Sequence, residues 1–376
     1  MSNARPADER WIRRALELAR RGEALAHPNP MVGAVLVRGG RVVGEGFHTW
    51  EGIKHAEILA IERAGRKARG STLYLNLEPC CHSGRTGPCT DAILAAGIRR
   101  VVASMADPNP LVSGKGFRKL RRAGVEVTVG MGEAEARRLN EAFALWIRRR
   151  RPLVTLKTAA TLDGQISFAL PSRRPRERWI SSQASRHYVQ RLRHGADAIL
   201  TGIDTVLADN PLLTDRSGLP RARPLLRVVM DSRLRLPLRS QLVRTAADDL
   251  LVFTLRSPDC PAARRLAKRG VRVARVRARG ERPDPAAVLA ELGRLGILSL
   301  LVEAGPRLNG ALLARGLADK VLLFYSPRIL GRPTVPLALA AAGARQPLAT
   351  LTLGELQRFG PDFAVEGYLR DVYRDH

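Results

Sequence analysis

Cysteine, aromatic residues and long apolar runs are all scarce in this chain, and each scarcity excludes something. Only four cysteines occur in 376 residues, three of them between positions 80 and 89, which leaves Cys260 alone. That distribution excludes a disulfide framework and fits a reducing compartment. No apolar run approaches the roughly 18–20 residues that would span a bilayer, and the first residues lack the apolar core of a secretory signal. A cytoplasmic protein with no membrane partner is expected. Aromatics make up 5% of the chain, too few to offer stacking platforms to unpaired bases.

Positive charge is plentiful, with a formal net charge of +28. A polynucleotide partner would use such charge on phosphates. Here, however, the arginines are spread over the whole length rather than gathered in one block, and arginine far outnumbers lysine. A solvated basic surface and a small phosphorylated substrate account for the charge without a nucleic acid. Apolar residues at 45% and charged residues at 26% are ordinary for a globular chain, and its length suits two domains with separate cores.

The most informative stretch runs from His55 to Cys89. It contains His55-Ala56-Glu57 and Glu78-Pro79-Cys80-Cys81-His82-Ser83-Gly84-Arg85-Thr86-Gly87-Pro88-Cys89. One imidazole and two thiolates can close three sides of a zinc tetrahedron and leave the fourth open, the arrangement of a catalytic metal. The order H-x-E, then P-C, then C is that of zinc deaminases, in which activated water attacks an amino-bearing ring carbon and the glutamate carries protons. Eight residues separate Cys80 from Cys89, where the general pattern has two, so the match is partial. A closed knuckle completed by Cys81 or His82 and a set of plain core thiols are the competing readings. Glu57 argues for the open site, because a structural zinc has no use for a free carboxylate there. Cys81 is a poor substitute ligand, since neighbouring side chains on extended backbone point apart.

The surrounding pattern alternates helices and strands. A helix is predicted over Asp8–Arg21, strands over Met31–Val37 and Val42–Phe47, a helix over Ala56–Ala64 and a strand over Thr72–Leu77. Cys89 is expected just before a helix over Thr90–Ala96, whose positive end favours a thiolate. Arg100–Met105, a helix over Gly116–Ala123, and Val125–Val129 complete a mixed sheet of about five strands. The stiff His27-Pro28-Asn29-Pro30 loop can present the Asn29 amide to a base edge, although spacing alone favours a plain turn. Glu133–Arg151 reads as one helix, and its basic end before Pro152 marks a boundary between residues 1–150 and 151–376.

After Pro152, strands are predicted at Leu153–Thr158, Ala198–Leu200, Leu225–Met230, Leu250–Thr254, Val271–Val276, Ser299–Val302 and Val321–Tyr325. Helical patterns alternate with them at Ser182–Arg193, Pro261–Arg269, Ala286–Leu295 and Leu308–Arg315. This is a second α/β domain on a largely parallel sheet, with antiparallel strands such as Phe363–Leu369 near its end. Ser299 to Gly310 runs from a strand through a glycine turn into a helix, a layout that offers N–H groups to a phosphate. It lacks G-x-G-x-x-G, and an ordinary βα turn fits it equally. Glu303 stands at a strand's carboxyl end, where open α/β sheets bind ligands.

His27-Pro28-Asn29-Pro30-Met31-Val32-Gly33, His55-Ala56-Glu57, Glu78-Pro79-Cys80 with Gly84-Arg85-Thr86 and Cys89, and Asp107-Pro108-Asn109-Pro110 resemble the deaminase half of the bifunctional riboflavin-biosynthesis deaminase–reductases. Thr155 to Gly164, Gly202 through Asp209-Asn210-Pro211, Asp231-Ser232 and Val302 to Pro306 are similar to the reductase half. The resemblance covers essentially the whole chain. It implies an N-terminal cytidine-deaminase-like domain and a C-terminal dihydrofolate-reductase-like domain. It also implies zinc on His55, Cys80 and Cys89, with Glu57 as proton carrier.

By the same resemblance, NADPH would contact Ala159, Trp179, Thr205, Asp209, Ser232 and the turn of Gly305, Pro306, Arg307, Leu308, Asn309, Gly310 and Ala311. The pyrimidine phosphate would contact Arg193, Leu213, Arg216 and Glu303, with Asn29 at the deaminase site. Lys157, Asp209 and Glu303 are the candidates for polarising the imine or relaying protons, and Lys157 equally suits neutralising a phosphate. A homo-oligomer is expected. Lys54 and Gly87 stand where the family usually has proline, which alters loop stiffness and removes no ligand. The basic run at 171–178 replaces a short family segment that carries a substrate-contacting serine. An RNA deaminase or a binding protein with structural zinc would leave the reductase-like half, or Glu57, without a role.

Overall fold

Residues 7–84, 86–168, 179–331, 334–339 and 349–374 are described by a computed structural model; the basic run at 171–178 lies outside them. The chain divides into two units, Met1–Arg149 with Pro220–Arg223, and Arg150–Leu219 with Pro224–His376.

In the first unit the order is α1 (Asp8–Arg20), β1 (Gly33–Arg38), β2 (Arg41–Phe47), α2 (Ala56–Ala64), β3 (Thr72–Leu75) and α3 (Cys89–Ala95). Then follow β4 (Arg100–Ala103), α4 (Lys115–Arg122), β5 (Glu126–Val129), α5 (Glu133–Leu139) and α6 (Glu141–Arg149). The five strands form one mixed sheet ordered β2-β1-β3-β4-β5, antiparallel on both sides of β1 and parallel from β3 to β5. α1 buries Trp11, Ile12, Ala15, Leu16, Leu18 and Ala19, the stripe expected of an amphipathic helix. Helix α2 lies directly on β2 because Gly44 and Gly46 have no side chains: a Cβ at these positions would come within 2.1 Å of the Ala60 carbonyl oxygen and 2.5 Å of the Ala56 carbonyl oxygen. This close approach fixes the start of α2, which carries His55 and Glu57.

One expectation changes here. The helix predicted over Glu133–Arg151 is two helices broken at Asn140. Asn140 leaves helical backbone geometry and spends its amide on Met31: Oδ1 accepts the Met31 N–H at 2.8 Å and Nδ2 donates to the Met31 carbonyl at 3.0 Å. Asparagine competes with the helix for backbone groups, and here the competition is won by a partner distant in sequence.

The second unit runs β6 (Leu153–Thr161), β7 (Gln165–Phe168), α7 (Gln183–Gly195), β8 (Ala198–Gly202), α8 (Ile203–Asp209), β9 (Leu226–Met230), α9 (Gln241–Arg244), β10 (Leu250–Thr254) and α10 (Pro261–Ala267). It continues with β11 (Val271–Arg275), β12 (Ala278–Arg279), β13 (Arg282–Pro283), α11 (Pro285–Arg294), β14 (Ser299–Val302), α12 (Pro306–Ala314), β15 (Lys320–Ser326), β16 (Thr334–Pro336), β17 (Thr352–Phe359) and β18 (Asp362–Tyr368). Nine of these strands make one sheet, ordered β11-β10-β9-β8-β14-β6-β15-β18-β17. It is parallel from β11 to β15, with β18 and β17 added antiparallel. β9 and β10 are buried at every position, as strands covered on both faces must be. The periodicity did not reveal β17, an exposed edge strand with no apolar alternation. After β6 the chain winds outward through β8 to β11 and then returns to place β14 between β8 and β6. The carboxyl ends of the strands at such a reversal are where open α/β sheets bind ligands.

Candidate active sites

In the first unit, His55 caps α2 from extended backbone and spends no side-chain bond on the cap, so its ring is free to face the thiols. Cys89 begins α3, one residue earlier than the pattern suggested, with Pro88 as the cap. Nδ1 of His55 lies 3.1 Å from Cys89 Sγ and 3.5 Å from Cys80 Sγ, and the Cys89 N–H points at Cys80 Sγ at 3.3 Å. The three ligand atoms lie within 4.8 Å of one another. Bonds of roughly 2.0–2.3 Å at tetrahedral angles require ligand separations of about 3.5–3.8 Å, so the trio fits Zn²⁺ with little movement. Neither Cys81 nor His82 joins this group, and the closed knuckle does not form among the described residues.

Electrostatics sharpen the picture. The Cys89 thiol bonds to Cys80 and is the main cause that brings Cys80 down to about 4, against the opposing effect of burial; the same contact pushes Cys89 up. His55 is held up chiefly by its bond to Cys80. Glu57, 4% exposed, is pushed above the ordinary carboxylate range first by burial, with the Cys80 charge adding to it and His55 opposing it. A buried carboxyl that holds its proton more tightly than an exposed one is suited to moving protons.

Three neighbours, His48, Glu78 and Asp107, were given no role of their own by the sequence. Asn29 Nδ2 lies 2.9 Å from His48 Nε2, whose other ring nitrogen donates to the Lys54 carbonyl at 2.9 Å. The His48 ring meets that of His55 edge-on at 5.4 Å between centroids, which links the Asn29 loop to the cluster. The buried Glu78 carboxylate accepts the N–H groups of Asp107, Gly114 and Phe117 at 3.1, 2.7 and 3.2 Å. Asp107 is pushed up to about 7, first by burial and then by the charges of Glu78, Cys80 and Glu57, with the Asn109 N–H opposing. The signals were the Glu-Pro and Asp-Pro-Asn-Pro sequences, which say nothing of what lies opposite them in space.

In the second unit, β6 alternates its burial and presents Thr155, Lys157 and Ala159 on one face. Lys157 Nζ lies 3.9 Å from Glu303 Oε2 and 5.6 Å from the centre of the Phe324 ring. Arg193, near the end of α7, grips both Glu303 oxygens at 2.8 and 2.9 Å. Burial would raise Glu303, but the Lys157 and Arg193 charges and the Arg193 hydrogen bonds outweigh it. With Arg216 also acting, the carboxyl is held at about 2. Lys157 is lowered by burial, then by Arg193, with Glu303 opposing. Three cations around one carboxylate leave this pocket with an excess of positive charge suited to an anionic ligand. Leu213 buries its side chain in the core, 3% exposed, which leaves only its main chain for a ligand.

Thr205, Ser232 and Gly305 follow the carboxyl ends of β8, β9 and β14, which adjoin one another in the order β9-β8-β14. A Cβ on Gly305 would sit 3.6 Å from Thr205 Oγ1. Gly305 caps α12 with no side-chain bond, and Pro306 stands at the helix start, so this helix end presents main-chain N–H groups to an anion. These features fit NADPH. Asp209 ends α8 on the surface, and Arg307 pairs with Asp204 at 3.6 Å. Leu308 packs on the core, and Ala311 lies half-buried in the next turn. Asn309 and Gly310 face inward: Asn309 donates to the Ala304 and Leu337 carbonyls, and a Cβ at Gly310 would meet the Leu339 carbonyl at 1.9 Å. Trp179 is 56% exposed, with the Arg186 guanidinium 5.1 Å from its ring centre. Among the described residues no helix is long and apolar enough to cross a membrane.

Comparison with known proteins finds relatives that match along both units. Residues 5–105 match the cytidine and deoxycytidylate deaminase zinc-binding region, and residues 152–365 match the RibD C-terminal domain. The riboflavin biosynthesis protein RibD of Synechocystis is 42% identical over 365 residues, covering 96% of each chain. That of Escherichia coli is 40% identical over 375 residues, 95% of this chain and 98% of its own. The structure of Acinetobacter baumannii RibD superposes with a TM-score of 0.84 at 34% identity, over 96% of this chain and 98% of that one. A Thermotoga maritima diaminohydroxyphosphoribosylaminopyrimidine deaminase/5-amino-6-(5-phosphoribosylamino)uracil reductase gives 0.82 at 35% identity, with the same coverage. The chain belongs to the RibD family, the bifunctional deaminase–reductases of riboflavin biosynthesis, and joins a zinc-binding deaminase domain to a RibD reductase domain.

Proposed function

We propose that the chain deaminates 2,5-diamino-6-(5-phosphoribosylamino)pyrimidin-4-one and then reduces the ribosyl group of the product to ribityl. The observation that carries the first step is the three-ligand cluster with one buried carboxyl, Glu57, beside it. His55, Cys80 and Cys89 would hold zinc, which would lower the pKa of a bound water toward neutrality. Glu57 takes the proton as the water oxygen adds to the amino-bearing ring carbon. It gives that proton to the ring nitrogen, then takes the proton of the added hydroxyl and passes it to the amine, and the C–N bond breaks as the carbonyl forms, releasing ammonia. Asn29, fixed by His48, meets a polar edge of the base.

For the second step NADPH, when bound, would supply the hydride. Gly305 to Leu308, Thr205, Asp209, Ser232, Ala159 and Trp179 hold the cofactor, while Asn309, Gly310 and Ala311 brace that helix end from within. Arg193, Arg216 and Glu303, with the main chain of Leu213, hold the substrate. Lys157 either gives a proton to the opened imine form as C1′ is reduced or neutralises the phosphate. The protein works in the cytoplasm as a homo-oligomer on this small substrate, without a polynucleotide.

The test is to incubate the zinc-loaded protein with the pyrimidine phosphate, with and without NADPH. Ammonia release without cofactor, followed by NADPH oxidation that requires the deaminated product, is expected. Ammonia release from polynucleotide alone, or no NADPH oxidation on the deaminated product, overturns the reading.

A further inference from the structure

One face of α7 holds the loop that carries Arg216. Gln190, Arg193 and His194 stand three and four residues apart on that helix, so they share a side. Gln190 Oε1 accepts the Arg216 N–H at 3.0 Å. Arg193 Nη1 donates to the Thr214 carbonyl at 3.1 Å, and His194 Nδ1 donates to Asp215 Oδ2 at 3.0 Å. The other Asp215 oxygen accepts the Ser217 N–H at 2.9 Å. Each residue from Thr214 to Ser217 is therefore tied, and the His194 and Asp215 side chains are 5% and 8% exposed.

The backbone just before this loop does not adopt its shape freely. Leu213 has φ of 54°, in the left-handed region that a bulky residue rarely enters, and its side chain is locked in the core. Such a conformation persists only where the surroundings over-determine it. The core restrains Leu213 from one side and α7 restrains the next residues from the other. Arg193 also grips Glu303, so a single helix face sets both the carboxylate and the loop whose Arg216 charge acts on it.

We propose that Gln190 and His194 are positioning residues of the reductase site. They touch no reacting atom; they fix the 213–217 loop so that Arg216 meets the anionic group of the substrate. This rests on the reading of Arg193, Arg216 and Glu303 as the substrate side of the pocket.

The test uses the full-length, zinc-loaded protein. His194→Leu removes a donor and Gln190→Leu removes an acceptor, whereas His194→Asn puts an N–H near the place of Nδ1 and Gln190→Glu keeps an acceptor. The leucine variants should raise KM for the deaminated pyrimidine phosphate about tenfold, as loss of a buried bond to a charged or constrained partner does. KM for NADPH and the deamination rate should stay at wild-type values. Calorimetric binding of the same substrate without NADPH should weaken by the same factor. The asparagine and glutamate variants should recover most of the loss. Wild-type substrate KM in both leucine variants overturns the proposal, and so does His194→Asn behaving like His194→Leu with an equal fall in thermal midpoint. Arg216→Ala separates the two levels. An unchanged substrate KM there removes the underlying reading, whereas a raised KM beside a normal His194→Leu enzyme removes the positioning role alone.

Discussion

Arg193 meets Glu303 as a two-point fork, Nε to Oε1 at 2.8 Å and Nη2 to Oε2 at 2.9 Å, across 110 residues of sequence. Such planar pairing fixes both position and orientation, and Lys157 stands behind the same carboxylate. Removing the carboxylate charge leaves two buried cations without their counter-charge. Glu303→Gln is expected to abolish product-dependent NADPH oxidation while ammonia release continues, and to cost about 3–5 kcal/mol of stability in urea unfolding of the second unit.

The same carboxyl predicts an acid limit. It titrates at about 2 in the fold, against about 4.3 in an unfolded chain. Because the folded value is the lower one, its contribution is complete above the unfolded value and is lost as pH falls toward 2. The unfolding free energy of wild type should therefore fall more steeply below about pH 4 than that of Glu303→Gln, a difference that acid titrations of the two proteins measure.

Lys157→Arg distinguishes two roles. Arginine keeps the positive charge but does not release a proton in the working range. If Lys157 neutralises a phosphate, reduction persists with at most a modest change in substrate KM. If it gives a proton, kcat falls about a hundredfold or more while substrate binding is kept. Steady-state and calorimetric measurements on one preparation decide between them.

Glu57→Gln should retain zinc and lose deamination by about a hundredfold to ten-thousandfold, the usual worth of a positioned acid–base group. Cys80→Ser should instead lower metal content itself, because the soft thiolate is lost. In both variants, reduction of pre-formed deaminated substrate should continue. Metal analysis alongside ammonia release reads the difference.

Asn140→Leu removes both hydrogen bonds to Met31 and orphans a main-chain N–H near the loop that bears Asn29. It should destabilise the first unit by about 2–4 kcal/mol. The loss should appear in the urea midpoint, with zinc retained.

Much of the fold was legible because strand and helix periods are local properties. The boundaries of the apolar strands fell close to those observed, whereas edge strand β17 and the break at Asn140 did not show. β17 buries too little to leave a pattern, and the break comes from a bond to a residue more than a hundred positions away. In the deaminase unit the three ligand-type side chains singled out by residue type do converge: His55 and Cys89 stand at helix starts, and Cys80 lies in the loop after β3. His48, Glu78 and Asp107 were given no role because a lone histidine or carboxylate carries no periodic signature.

By itself, the sequence determined which chemistry is available: thiolates and imidazole for a divalent metal, a carboxyl two residues from one ligand, and a glycine turn opening a helix. Residue identity sets what a group can bond. Only the tertiary structure decided which partner each group takes. It drew Arg193 onto Glu303, set His194 against Asp215, lowered the Glu303 carboxyl, and turned the Leu213 side chain away from the pocket. These outcomes depend on burial and on distances between residues far apart in the chain, and those quantities exist only once the sheets have formed.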